Sequence, residues 1–174
     1  MLPGSGAVDK GRAVVCPHHC MLVPLSPGPG TPLLDPSTVS AIVTAAGQSS
    51  RMGRPKALLA WGGGTLLDHQ CVSLAGLREV IVVTGHEAGA LEAAVPLSLP
   101  ARYVRAEAWS QGRSASLQAG ARAVREGASA VVIVGVDQPL TGEVVARLMA
   151  AFDPETVDVC RPRYDGRVGH PILL

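Results

Sequence analysis

The sequence predicts an α/β domain, a three-layer α/β/α sandwich built on a mostly parallel sheet. Three observations carry that expectation. Residues 40–45 (SAIVTA), 79–84 (EVIVVT) and 130–136 (AVVIVGV) are near-continuous apolar, β-branched runs without polar alternation, as expected of strands buried on both faces. Helical stretches separate them. Strand and helix then alternate along the sequence, which implies right-handed crossovers and puts the functional loops beyond the carboxyl ends of the strands.

Taken in order, residues 1–37 hold half of the protein's 14 prolines, several glycines and no sustained periodicity, and are expected to form a disordered tail. A second methionine, Met21, lies inside this segment and offers an alternative start. The folded domain is expected over residues 38–174. After the strand at 40–45 come helices at 66–75 and 86–94, flanking the strand at 79–84, and a shorter strand at 102–105 (RYVR). The helix at 114–126 sets Leu117, Ala121 and Val124 on one face, with Ser114 as its natural N-cap. The strand at 130–136 precedes a helix at 142–152 that Thr141 is suited to cap. Tyr164-Asp165-Gly166-Arg167 reads as a hairpin turn, Asp-Gly supplying the positive φ angles.

Composition narrows the function. Fifteen basic and 14 acidic side chains give a formal charge of +1, so no overall field favours nucleic acid or an anionic membrane. Aromatic residues make up 3% of the sequence, too few for the stacking platforms of single-stranded nucleic acid binders. No apolar run approaches the roughly twenty residues needed to span a bilayer. Four scattered cysteines do not make a disulfide scaffold, and a reducing cytoplasm fits them best. Cys71 and Cys160 have apolar surroundings that suggest core positions. The cluster 16-CPHHC-20 invites a zinc reading, although tetrahedral sites take two ligand pairs separated by a dozen or more residues.

Chemistry gathers in the loops that follow the strands. The first, 47-GQSSRMGRPK-56, is neither a Walker A loop nor a dinucleotide fingerprint, because its glycines are six apart and its lysine lies three further on. Its residues nonetheless suit polyphosphate. Gly47 and Gly53 let main-chain N–H groups face a triphosphate, Ser49 adds a hydroxyl, and Arg51 and Lys56 neutralise phosphate charge. A solvated surface loop is the plain alternative. Asp137 leaves the strand at 130–136 on the same side, where a hard oxygen ligand suits Mg²⁺ bridging to phosphate. Around 105-RAEAWSQGRSASLQAG-120, Gly112, Ser114 and Ser116 offer N–H and hydroxyl groups to an anion or a base edge, unless Ser114 only caps its helix. His170 is placed to orient a phosphate or assist a proton transfer; a structural histidine is the alternative. Trp61 and Trp109 are expected beside the site without a catalytic role.

Together AAGQSSRMGRPK, WSQGRSASL, VGVDQP and GRVGHP, in this order and spacing, resemble the MobA-like nucleotidyltransferases of molybdenum cofactor maturation, and above all their molybdopterin cytidylyltransferase branch. The resemblance covers residues from about 40 to 174. It implies a Rossmann-like fold of the nucleotide-diphospho-sugar transferase type and Mg²⁺-dependent transfer of a nucleoside monophosphate to a phosphorylated acceptor, releasing pyrophosphate. Ala45, Ala46, Gly47, Ser49, Arg51, Gly53 and Lys56 would then hold the nucleotide. Gly112 and Ser116 would lie near its base, Asp137 would bind the metal, and His170 would face the ligand. The AAG of the opening loop matches the cytidylyl branch, where guanylyl relatives carry two adjacent glycines, so Ala46 favours CTP over GTP. The partners implied are CTP, molybdopterin and a receiving molybdoenzyme or its chaperone, with the protein acting as a monomer. Other acceptors, a sugar or polyol phosphate, and a non-catalytic NTP-binding role are the competing expectations. Two departures stand out: relatives continue beyond GHPILL with further strands and helices, which leaves this sequence short at its C-terminal end, and Arg105 stands where they more often carry asparagine.

Overall fold

Valine and isoleucine crowd the middle of the sheet, where both faces of every strand are covered. The computed structural model describes residues 14–16, 20–24, 34–49, 52–98 and 100–174. In sequence order its strands are β1 (Val14–Cys16), β2 (Cys20–Pro24), β3 (Val39–Thr44), β4 (Ala60–Trp61), β5 (Gly64–Thr65), β6 (Glu79–Thr84), β7 (Ala101–Arg105), β8 (Ala130–Gly135), β9 (Val159–Tyr164), β10 (Arg167–Val168) and β11 (Ile172–Leu173). Its α-helices are α1 (Leu66–Leu74), α2 (Ala88–Ala94), α3 (Arg113–Ala123) and α4 (Gly142–Ala151). The main sheet runs β1-β2-β9-β11-β8-β3-β6-β7, with β10 paired to β9. Its centre, β8-β3-β6-β7, is parallel throughout; β11 enters antiparallel between β8 and β9.

Two apolar layers flank this sheet. On one face Val43, Val82 and Val134 pack with Leu67 of α1, Leu91 of α2 and Leu148 of α4. Each buried leucine there contributes roughly 1.5–3 kcal/mol. The other face sets Ile42, Ile81 and Val83 against Ala119 and Ala123 of α3. A side chain at Gly120 would come within 2.7 Å of Ile42 and 2.9 Å of Val83, so the glycine lets α3 lie close on the strands. The expected face of α3 is therefore displaced by one position. Ser116 and Gly120 are buried, whereas Leu117 and Val124 are half-covered and Ala121 is exposed. Ser114 does not cap this helix either; Gly112, at φ 106°, holds the N-cap position.

The segment expected to be a tail contributes structure. β1 and β2 form an antiparallel hairpin, and β2 pairs in parallel with β9 over five residues. Leu34 is buried, and Asp35 caps the short turn Pro36–Thr38, accepting from Ser37 N–H at 2.9 Å. The described residues of the segment expected to be a tail are thus strands and a capped turn. The zinc reading of 16-CPHHC-20 rests on side chains outside the described residues. Cys160 is buried and Cys71 half-buried; burial, then the nearby Asp68 charge, pushes the Cys71 thiol up to about 11.

At the amino end of the sheet lies a buried acid. Glu79 opens β6 with 1% of its side chain exposed and accepts from Ser40 Oγ (3.0 Å), Arg125 N–H (2.9 Å) and Arg102 Nη2 (3.0 Å). Burial alone would raise its pKa, but these donors together hold it below the ordinary 4.5. The network ties β3, β6, β7 and the end of α3 together at the pole opposite the functional loops.

Candidate functional site

A cleft of about 720 Å³ opens beyond the carboxyl ends of β3, β6 and β8. It brings together Ala45, Ala46, Gly47, Ser49 and Lys56 from the loop after β3, Gly112 and Ser116 at the start of α3, and Asp137 after β8. Gly53 and His170 do not line it. Gly53, at φ 64°, serves the turn instead, and Arg51 lies outside the described residues. Trp109 does line the cleft, whereas Trp61 packs against His69 with ring centroids 6.0 Å apart.

Its most telling contact joins two of the predicted residues. Lys56 Nζ donates to Asp137 Oδ2 at 2.6 Å, with 36% and 46% of the two side chains exposed. The Lys56 hydrogen bond holds the Asp137 carboxyl below its ordinary 3.8, outweighing burial, so it is ionised at neutral pH. Ser49, at φ 50°, accepts the Lys56 N–H on its Oγ at 3.2 Å. That bond fixes the lysine's backbone and leaves the Ser49 hydroxyl proton free to donate.

Residues the sequence reading passed over hold Asp137 in place. Helix α1 starts in a capping box, Thr65 Oγ1 accepting from Asp68 N–H (3.1 Å) while Asp68 Oδ2 accepts from Thr65 N–H (2.8 Å). One turn on, the fully buried Gln70 donates through Nε2 to Gly135 O and Gln138 O, both at 3.0 Å, and accepts from Leu140 N–H at 3.4 Å. Ser73 Oγ and His69 Nε2 both donate to Leu140 O, at 3.0 and 2.8 Å. Gln138 Oε1 accepts from Gly135 N–H at 3.0 Å, closing the turn. The turn after β8 is thus pinned from beneath by the polar stripe of α1. An amide inside LLDHQCVSL, at a position its helix buries, was the available signal.

The opposite wall is aromatic. His86 and Trp109 lie 5.1 Å apart between ring centroids, tilted by 56°, and both line the cleft. A side chain at Gly85 would come within 2.5 Å of Trp109 and 2.9 Å of Ala46, so these groups meet only because position 85 is glycine. His86 N–H donates to Ala46 O at 3.2 Å. Arg113, also overlooked, lines the cleft beside Gly112. Arg105 does not: it pairs with Glu92 of α2 at 2.6 Å.

Residues 41–174 match the MobA-like NTP transferase domain family. The protein belongs to that family. This MobA-like transferase is 29% identical over 140 residues to the molybdenum cofactor cytidylyltransferase of Escherichia coli (strain K12), covering 79% of this sequence and 70% of that one. It is 36% identical over 127 residues to the molybdenum cofactor guanylyltransferase of Sinorhizobium fredii (strain NBRC 101917 / NGR234), covering 68% of this sequence and 55% of the relative. The crystal structure of Rv0371c from Mycobacterium tuberculosis superposes with a TM-score of 0.67 at 30% identity, over 79% of this protein and 70% of that one. A manganese complex of the same mycobacterial protein gives 0.62 at 27%, with the same coverage. The predicted α/β/α fold and the predicted family are both borne out. As a MobA-like transferase the protein is a nucleotidyltransferase, and among its described residues no helix is long and apolar enough to cross a membrane.

Proposed function

We propose that residues 38–174 transfer CMP from CTP to the terminal phosphate of molybdopterin, with Mg²⁺ and release of pyrophosphate, in the cytoplasm. The observation that carries this reading is the Lys56–Asp137 pair, set between a glycine loop and the start of α3 in a cleft of nucleotide size. Similarity to a molybdenum cofactor cytidylyltransferase supports the acceptor.

The donor set fits the metal. Mg²⁺ takes one or two carboxylates and fills its remaining positions with water and phosphate oxygens. Asp137 is an ionised, half-exposed carboxylate, and no group of three His, Cys, Asp or Glu residues that could form a full protein cage occurs among the described residues. Asp137 would hold the ion, which when bound would neutralise phosphate charge. Lys56, released from Asp137, donates to the phosphates, joined by main-chain N–H groups at Gly47 and Ser49, the Ser49 hydroxyl and Arg51. An oxygen of the acceptor's terminal phosphate attacks the α-phosphorus in line. The bond from the α-phosphorus to the bridging oxygen breaks, and pyrophosphate leaves with the electron pair. No protein nucleophile takes part.

Ala46 carries the choice of CTP. Its side chain is buried against Gly85 and Trp109, so this wall is closed where two glycines would leave it thinner. Ala45, Gly112 and Ser116 complete the nucleotide's surroundings. Pyrophosphate release with ATP, CTP, GTP and UTP, each with Mg²⁺ and molybdenum-bound molybdopterin, tests the reading. CTP is expected to be preferred; a preference for GTP removes the cytidylyl assignment, and no release with any NTP removes the reaction.

A further inference from the structure

His170 lies off the nucleotide cleft, yet it is not idle in the fold. β11 runs antiparallel to β8, Ile172 opposite Ile133 and Leu173 opposite Val132. His170 lies two residues ahead of β11, near enough to the end of β8 that the Asp137 charge acts on it. Its Nδ1 is buried and has no hydrogen-bond partner among the described residues. A buried, unpaired imidazole nitrogen is costly and calls for a partner that arrives from outside.

Two arginines and the Asp137 carboxylate act on it. Arg161, on β9, spends Nε and Nη2 on Gly169 O at 3.3 and 3.2 Å, just ahead of His170, and keeps its other N–H groups. Arg113 reaches the same region from the start of α3, near enough that its charge acts on both Asp137 and His170. Neither arginine has a carboxylate within ion-pair distance among the described residues, unlike Arg102, Arg105, Arg125 and Arg147, which do. Burial first, then the charges of Arg161 and Arg113, outweigh the opposing Asp137 charge and hold the His170 pKa below the ordinary 6.5, so at neutral pH it offers a hydrogen bond rather than a charge.

Sheet order gives this cluster its meaning. β8 lies between β3, which carries the glycine loop, and β11, which follows His170. Asp137 therefore has the loop and Lys56 on one side and His170 and Arg161 on the other, with Arg113 in the nucleotide cleft. In-line displacement needs that arrangement, since the attacking oxygen must approach opposite the departing pyrophosphate.

We infer that His170 Nδ1, with the guanidinium group of Arg161, seats the terminal phosphate of the phosphorylated acceptor on the β9–β11 side of Asp137. The inference rests on the transfer reaction proposed above. Turnover of the unaltered protein with CTP, Mg²⁺ and molybdopterin tests that reaction separately, and its absence would remove both readings together.

With turnover in hand, KM for molybdopterin and for CTP are measured in His170→Ala, His170→Asn and Arg161→Gln. His170→Ala and Arg161→Gln are expected to raise the molybdopterin KM at least tenfold while the CTP KM stays within twofold, which also shows that the fold survives. His170→Asn, whose amide can occupy the Nδ1 position, is expected to recover part of the loss. An unchanged molybdopterin KM in His170→Ala overturns the inference. A CTP KM that rises in step with it overturns it equally, by returning His170 to the nucleotide or to the scaffold. If His170→Ala does not fold, the same split is read from His170→Asn and Arg161→Gln.

Discussion

Two acids, at opposite poles of one sheet, use the same attraction for different ends. Glu79, at the start of β6, has 1% of its side chain exposed and every oxygen engaged, by Ser40, Arg102 and the Arg125 N–H. Asp137, beyond the end of β8, has 46% exposed and one lysine partner that is itself exposed. Burial and saturation make the first a fixed joint between strands. Openness leaves the second a contact that, in the proposed reaction, a phosphate and a cation would divide between them, phosphate taking the lysine and the metal the carboxylate. The difference lies in solvation rather than charge: a buried pair broken on one side leaves an ion in low dielectric, whereas a half-exposed one is rehydrated.

Removing the buried acid should have the largest effect on stability. Glu79→Ala is expected to cost about 3 kcal/mol in urea unfolding, because the buried Ser40 hydroxyl and the Arg125 N–H lose their acceptor. Nucleotide binding by the protein that remains folded should be unaltered. Next in size, Gln70→Leu should cost about 2 kcal/mol, since the backbone groups of Gln138 and Leu140 lose their buried partner. Unlike Glu79→Ala, it should also lower turnover of the folded fraction, because Asp137 rides on that turn. Lys56→Ala should leave melting nearly unchanged and reduce kcat/KM for the NTP about tenfold or more, a loss of ~1.4 kcal/mol in transition-state binding.

Acid gives the smallest effect. Both carboxyls are held below their ordinary values in the folded protein, so each contributes stability above its unfolded pKa, 4.5 for Glu79 and 3.8 for Asp137, and loses it as pH falls through the lower folded value. For the exposed Asp137 pair, solvent screening keeps that contribution under about 1 kcal/mol. Unfolding of the unaltered protein and of Asp137→Asn should therefore follow nearly parallel curves down to pH 4. A gap well above 1 kcal/mol would mean the pair is structural.

Much of this was legible in the sequence because apolar strands bury both faces and announce themselves. The strands at 79–84 and 130–136 and the helices at 66–75 and 142–152 fall within about a residue or two of the observed bounds, which is where helix and strand ends ordinarily blur. Asp165 and Gly166, at φ 44° and 78°, make the expected hairpin turn between β9 and β10. β9 itself was missed because VCRPRY carries two arginines and a proline on a strand near the sheet's edge, and β11 because two residues show no period. α3 misled for another reason: its sheet-facing positions are Ser116 and Gly120, small residues that apolar periodicity does not count. The cleft residues Lys56, Asp137, Gly47 and Gly112 were readable from their loops, and their gathering at one end of the sheet from the strand order, but the direct contact of Lys56 with Asp137 was not. That Lys56 and Asp137 touch, 81 positions apart, depends on β3 and β8 being neighbours in the sheet.

If Asp137 is held open for catalysis, replacing its carboxylate should stop turnover and spare the fold. Pyrophosphate release from CTP with Mg²⁺ and molybdopterin is compared in the unaltered protein and in Asp137→Asn, with thermal unfolding followed alongside. The expected result is a loss in turnover of about a hundredfold or more, the scale of removing one preorganised charge-stabilising group, with melting unchanged. Retained turnover in a folded Asp137→Asn protein would contradict the account.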